Sequence, residues 1–310
     1  MPLTRRTFCA LAAAPAAFAS PASAGRLFQS HLTPGSLGVK ADQEETIALA
    51  ARHGFEAAEP YADYLAGLSD SDAARLRDSL AAKKLVWGCA SLPVEFRRDD
   101  AQFRGDLAKL PAAAKGLRRA GVTRCGTWLM PAHKELTYMQ NLRQHAARLR
   151  ECANILGDQG VRFGMEYVGP KLLWTSARYS FVHTMAEMKE LIAEIARPNV
   201  GVVLDSWHWY TAGETAADLL TLRNQDVISV DLNDAPAGVP LDEQRDNVRE
   251  LPCVTGVIDV ATFLNSLAKI GYDGPVRPEP FNATVRSLSK DEAVAVSAAA
   301  TKKAFALVRA

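Results

Sequence analysis

Val200-Gly-Val-Val-Leu-Asp-Ser-Trp-His-Trp-Tyr210 decides how the rest of the chain is read. Its first half is an unbroken apolar run, which suits a strand buried on both faces, as parallel strands of α/β proteins are. The run stops at Asp205, and His208 follows three residues on. A carboxylate and an imidazole at the carboxyl end of a buried strand stand where such folds place their chemistry, because the strand holds them rigidly while the loops beyond it vary.

Outward from this stretch the same strand-then-helix unit recurs. Strand-like runs fall at 27–32, 55–59, 85–90, 122–129, 161–168, 199–205, 227–233 and 275–279. Between them lie helical patterns at 42–53, 71–83, 101–120, 137–158, 185–196, 214–223 and 259–270, and a last helix is predicted over 291–308. Strands separated by helices imply right-handed parallel crossovers. Eight such units in 310 residues are the number that closes an α/β fold of the (β/α)8 TIM barrel type. An open doubly wound sheet is the competing arrangement, but no G-x-G-x-x-G turn follows the first strand and nothing resembles a P-loop. Two long connections, 169–180 and 234–256, would lie on the carboxyl face as lids or substrate walls.

Composition sets the class. With 48% hydrophobic and 23% charged residues the chain can bury a large core, and a net charge of +1 with scattered Lys and Arg argues against a nucleic-acid partner. Residues 1–24 read as a Tat-type signal peptide: the twin arginines of Thr4-Arg5-Arg6-Thr7-Phe8, a weakly apolar Ala-rich run, and Ala22-Ser23-Ala24 before Gly25. The run is too short to span a bilayer and Pro15 interrupts it. The expectation is a periplasmic protein with one domain over 25–310 and no membrane span. Cys89, Cys125, Cys152 and Cys253 remain after cleavage, widely spaced and without a C-x-x-C pair. No zinc knuckle or redox motif is supported, and Cys89 and Cys125, in apolar runs, read as small hydrophobes.

Once a barrel is assumed, Glu166, Asp205, Asp231 and Glu279 fall at the ends of strands five to eight. Four carboxylates at one mouth cannot all ionise without large pKa shifts, and a divalent cation resolves the repulsion. The plain structural alternative is that Asp231 caps its loop while the others pair with Arg or Lys. His31 and Glu59 end strands one and two and could reach the same mouth. Trp128, Trp174, Trp207 and Trp209 lie at or just past strand ends, where rings either stack on sugars or pack the rim. Arg245 and Arg249, in the connection 234–256, either bind a substrate oxyanion or are solvated.

Gly164-Met-Glu-Tyr167, Leu204-Asp-Ser-Trp-His208, Val230-Asp-Leu-Asn-Asp234, and Arg277-Pro-Glu-Pro-Phe281 after Gly271-Tyr-Asp-Gly-Pro275 together resemble the xylose isomerase-like sugar phosphate isomerase/epimerase family. The resemblance runs from about Leu27 to the end of the chain. It implies one metal held by Glu166, Asp205, Glu279 and the residue at position 231, where the family carries His and this chain carries Asp. An all-oxygen set favours Mn²⁺, with Mg²⁺ or Co²⁺ as substitutes, over Zn²⁺. The resemblance further implies that Glu166 and Glu279 move the substrate proton and that His208 points at substrate oxygens, its bland alternative being a loop histidine bonded to backbone. His31, Glu59, Trp128, Trp207 and Arg245 complete the expected substrate contacts.

The chemistry expected is that of a metal-dependent sugar isomerase/epimerase: proton abstraction beside the carbonyl of a keto-sugar, through an enediolate. Elimination from a 3-keto-glycoside at the same enolising site is the alternative, and a metal-free periplasmic sugar-binding barrel is the non-enzymatic one. Export argues for an unphosphorylated small-molecule sugar or keto-glycoside, and homo-oligomerisation stays open. The endonuclease IV branch of the same barrel, with three zinc ions, needs more ligands than the six histidines supply, since only His31 and His208 fall at or just beyond strand ends.

Overall fold

A strand that is apolar along its whole length needs neighbours on both sides and cover on both faces. In the computed structural model, which describes residues 26–309, that requirement is met by a curled parallel sheet. The segment expected to be the signal, residues 1–24, lies outside the described residues. The strands are β1 (Gln29–Leu32), β2 (Ala57–Ala58), β3 (Val86–Trp87), β4 (Ala90–Ser91), β5 (Arg124–Trp128), β6 (Ala132–His133), β7 (Arg162–Glu166), β8 (Tyr179–Ser180), β9 (Val200–Asp205), β10 (Val227–Leu232) and β11 (Pro275–Pro278). The main sheet runs β3-β2-β1-β11-β10-β9-β7-β5-β4, and the pairings between its strands are parallel.

Its two ends, β3 and β4, are halves of one strand interrupted at Gly88 and Cys89, so the sheet closes on itself and the eight expected strand positions are all filled. His31 fills the barrel interior beside Gly88, and a Cβ there would stand 2.2 Å from His31 Nε2. β9 and β10 are buried at every residue, as the opening stretch requires.

The helices follow the expected pattern with two departures. The helix predicted over 101–120 is two, Asp100–Leu107 and Leu110–Ala120, because Pro111 has no N–H to continue the first helix and instead starts the second. The pattern at 214–223 yields only the short helix Ala216–Leu219. Among the described residues no helix is long and apolar enough to cross a membrane, and all four cysteines are free.

Inside the barrel the side chains form layers. Gly164 and Gly201 pair across β7 and β9, and a register shift between Val227 and Ser229 brings Ile228 over both of them. Val203 and Gly126 continue the layer. Two residues further along β7 and β9, on the same face, come Glu166 and Asp205. Chemistry therefore begins where a closed apolar floor ends.

Candidate active site

Register assembles the site. Asp205 lies opposite Asp231, Asp231 lies opposite Arg277, and Glu279, two residues beyond Arg277, shares its face. Oxygens of Glu166, Asp205, Asp231 and Glu279 fall within 4.8 Å of one another, all buried. The four carboxylates read from the sequence thus form one cluster.

Two guanidiniums hold it. Arg277 clamps Asp231, Nε donating to Oδ1 at 2.6 Å and Nη2 to Oδ2 at 2.7 Å, and Nη2 also donates to Glu279 Oε1 at 3.0 Å. Arg249, fully buried, comes down from the connection 234–256. Its Nη1 donates to Asp205 Oδ2 at 2.8 Å and Glu279 Oε2 at 3.0 Å, and its Nη2 to Asp246 Oδ1 at 2.8 Å. The rings of Trp207 and Phe281 lie within 5.3 Å of its guanidinium carbon. Asp231 does not cap its loop. Asp234 does, accepting N–H groups of Ala235, Thr255, Gly256 and Ile258.

The donor set fits a divalent cation. With Asp246, five carboxylates face two guanidiniums, an excess of acidic groups, and Glu166 Oε1 is buried with no hydrogen-bond partner among the described residues. Glu166 accepts no hydrogen bond among the described residues, Asp205 and Glu279 each accept one bond from Arg249 and further bonds from Trp207 and Asn233 or from Arg277, and Asp231 is held by both oxygens in one bidentate clamp with Arg277.

Burial, then the neighbouring charges of Asp231, Glu279 and Asp205, raises the Glu166 carboxyl well above its ordinary range. Burial likewise lifts Glu279 to about 8, although Arg277 opposes it, and Asp205 to about 6 against the pull of Arg249. Both glutamates therefore hold a proton more firmly than an ordinary carboxyl does.

His208, on the short helix Ser206–Thr211 that follows β9, combines its two expected readings. Gly169 N–H donates to Nδ1 at 3.2 Å, which assigns the proton of the neutral ring to Nε2. Nε2 lies 3.5 Å from Arg249 Nη2, 3.7 Å from Asp205 Oδ2 and 3.9 Å from Glu166 Oε1, and a protonated nitrogen there is the opposite of what a metal ligand needs. Burial and the adjacent Arg249 depress its pKa to about 3, so it stays neutral.

The remaining predicted contacts scatter. Glu59 is buried near Arg277 and Asp231, and burial raises its carboxyl to about 7. His31 is buried with both ring nitrogens unpartnered, outside the carboxylate cluster. Trp128 is exposed at the mouth, with the guanidinium of Arg97 4.4 Å above its ring. Trp207 is buried and supports Arg249 instead of reaching solvent. Trp209 is spent on packing against Phe263, and Trp174 stacks on His183. Arg245 is exposed and borders a separate surface cavity with Leu172 and Val248.

A cavity of about 280 Å³ opens beside the cluster, lined by Glu166, Arg277, Arg97, Trp128, Thr127 and Ser229 among others. Arg97 also borders an outer cavity of about 600 Å³ that reaches His133 and Lys134. Arg277, Arg97 and Asp246 were not legible as site residues from residue type alone. The available signal for Arg277 was its phase, since a charge two residues before Glu279 in a buried strand must share the interior.

Known proteins share this fold. The model of the family described as xylose isomerase-like TIM barrel matches residues 47–304. A solved xylose isomerase domain protein from Alicyclobacillus acidocaldarius superposes with a TM-score of 0.79 at 30% identity, covering 90% of this chain and 99% of that one. Among curated proteins, the inosose isomerase of Bacillus licheniformis is 28% identical over 147 residues, 47% of this chain and 49% of its own length. The 3-dehydroshikimate dehydratase of Pseudomonas aeruginosa is 28% identical over 140 residues, 45% of this chain and 21% of its own. The chain spans about half the length of the curated isomerases it matches or somewhat more.

Proposed function

Because the chain belongs to the xylose isomerase-like TIM barrel family, we propose that it is an isomerase or epimerase that removes and returns a proton beside the carbonyl of a keto-sugar or keto-glycoside. The observation that carries this reading is the pair Glu166 and Glu279, set at the ends of strands β7 and β11 at one mouth, buried, and both with carboxyls raised above their ordinary range. One carboxylate takes the α-proton and the other, as the acid, returns it to the opposite face or to the neighbouring carbon. The 280 Å³ cavity beside Glu166 has Trp128 on its wall for the apolar face of a sugar. A divalent cation held by Glu166, Asp205 and Glu279, Mn²⁺ first with Mg²⁺ or Co²⁺ as substitutes, supplies Lewis-acid polarisation of the carbonyl when bound.

Elimination is the second reading. The outer 600 Å³ cavity beyond Arg97 offers room for a leaving aglycone, and the dehydratase relative has a name that implies loss of water. The twin-arginine segment extends the proposal to a periplasmic enzyme whose substrate carries no phosphate.

Protein supplied with Mn²⁺ and 3-keto-glucosides in D₂O is expected to exchange the α-proton, by NMR, with or without aglycone release. Glu166→Gln and Glu279→Gln should each slow exchange by about 10²–10⁴-fold. Neither exchange nor release from the parent protein would sink the enzyme reading and leave a sugar-binding barrel.

A further inference from the structure

We propose that Arg277 is a catalytic residue, the donor that receives the negative charge developing on the substrate carbonyl oxygen, and that Asp231 is its positioning residue and not a ligand of the cation. The inference rests on the proton-transfer reading above.

The argument starts from donor bookkeeping. A guanidinium carries five N–H groups in a fixed plane. In Arg277, Nε and Nη2 are spent on Asp231 and Glu279, and Nη1 has no protein partner among the described residues. Arg277 lines the same 280 Å³ cavity as Glu166, so Nη1 is the donor left for a guest whose proton Glu166 can reach. The clamp makes this donor rigid. Two parallel bonds of 2.6 and 2.7 Å to one carboxylate fix the guanidinium plane, and Asp231, wholly buried between Asp205 and Arg277 in the strand register, cannot swing away. A donor fixed before the reaction does not reorganise as charge appears, which is what makes such groups effective.

The fourth carboxylate also becomes intelligible. An ion bound to Asp231 would compete with a guanidinium for the same two oxygens at hydrogen-bond distance. Asp205 and Glu279 also accept from Arg249, but by one bond each, so Asp231, the carboxylate in a bidentate clamp, is the one least able to turn to a cation, and its Arg277 adds a fixed positive group beside the others.

The step balances without any oxidant. Ionised Glu166 accepts the α-proton, the C–H electron pair becomes the C=C bond, and the carbonyl π pair moves onto oxygen, where Nη1–H meets it. On return, Glu279 in its acid form gives its proton to carbon and the electrons flow back to reform the carbonyl.

Parent protein, Arg277→Ala, Arg277→Lys and Asp231→Asn would be compared for bound divalent metal by elemental analysis and for kcat and KM of deuterium exchange into a 3-keto-glucoside. Expected are unchanged metal content in all four and a kcat lower by about 10²–10³-fold in Arg277→Ala, with KM moving far less. Arg277→Lys should recover only part of the loss, since an ammonium cannot make the bidentate clamp. Guanidinium chloride added to Arg277→Ala should restore activity at least several-fold, which a merely structural arginine would not show. Asp231→Asn should keep its metal and lose kcat. Loss of metal from Asp231→Asn, or an Arg277→Ala enzyme within threefold of the parent, would overturn the inference. Absence of exchange in the parent would instead overturn the proposed function, so the two failures are told apart.

Discussion

His145 shows what a single buried residue contributes to the response of the molecule to acid. It lies in the helix Tyr138–Gly157 with Nδ1 bonded to the Asn141 carbonyl at 3.0 Å, its ring packed between Phe96 and Phe181. Burial first, then Arg148 and other cations, lowers its pKa from 6.5 to about 4. The folded state thus binds this proton less well than the unfolded chain does. The neutral ring costs nothing above pH 6.5, and stability falls as pH drops from there towards 4. The loss from this residue at pH 5 is about 2 kcal/mol by the value of a pKa unit. Urea midpoints at pH 7 and pH 5 should therefore lie closer together in His145→Gln than in the parent; equal gaps would refute the assignment. Residue identity carried much of the site in the same way: Glu166, Asp205, Asp231 and Glu279 were legible because carboxylates at the ends of consecutive buried strands must meet at one mouth. Their partners were not. Arg249 lies in a loop whose path no periodicity encodes, and the tautomer of His208 depends on Gly169, a backbone group from another strand's loop.

At the scale of elements, hydrophobic periodicity located all eight strands and most helices, because a buried parallel strand and an amphipathic helix leave different spacings in the sequence. It missed the break before Pro111, where the cause is one residue's backbone chemistry, and the interruption at Gly88, whose backbone packs against the distant His31 ring. The layer beneath the carboxylates gives a test. A Cβ on Gly164 would lie 2.7 Å from Ile228 Cβ and 2.9 Å from Val203 Cγ2, with no flexible end to move aside. Gly164→Ala should cost about 1–3 kcal/mol of stability by overpacking. Because Val203 shares its strand face with Asp205, the substitution should also lower exchange activity. A variant matching the parent in urea would show that the layer yields more than its packing suggests.

Over the whole molecule, the barrel supplies a fixed ring of groups and the long connection 234–256, expected to be a lid or substrate wall, brings Arg249 down to the carboxylates. What the sequence did not disclose is how that connection is anchored. Asp234 accepts four backbone N–H groups, its own N–H and carbonyl pair with Glu250, and Asn282 donates to the Arg249 carbonyl. Asp234→Ala strands those donors and frees the segment carrying Arg249. A lower melting temperature, by several degrees for about 2–3 kcal/mol lost, and a raised KM should appear together; a shift in one without the other would separate the anchor from the site.

The anchor at Asp234 has a consequence in polymer terms. Residues 234 and 255 are pinned through one carboxylate, which makes the segment between them a closed ring instead of a strap with a loose middle. A ring regains little entropy by fraying, since its ends stay joined while its tip moves. Its amides should therefore exchange with solvent as one cooperative unit, and guests should enter and leave the barrel through one opening event with one rate.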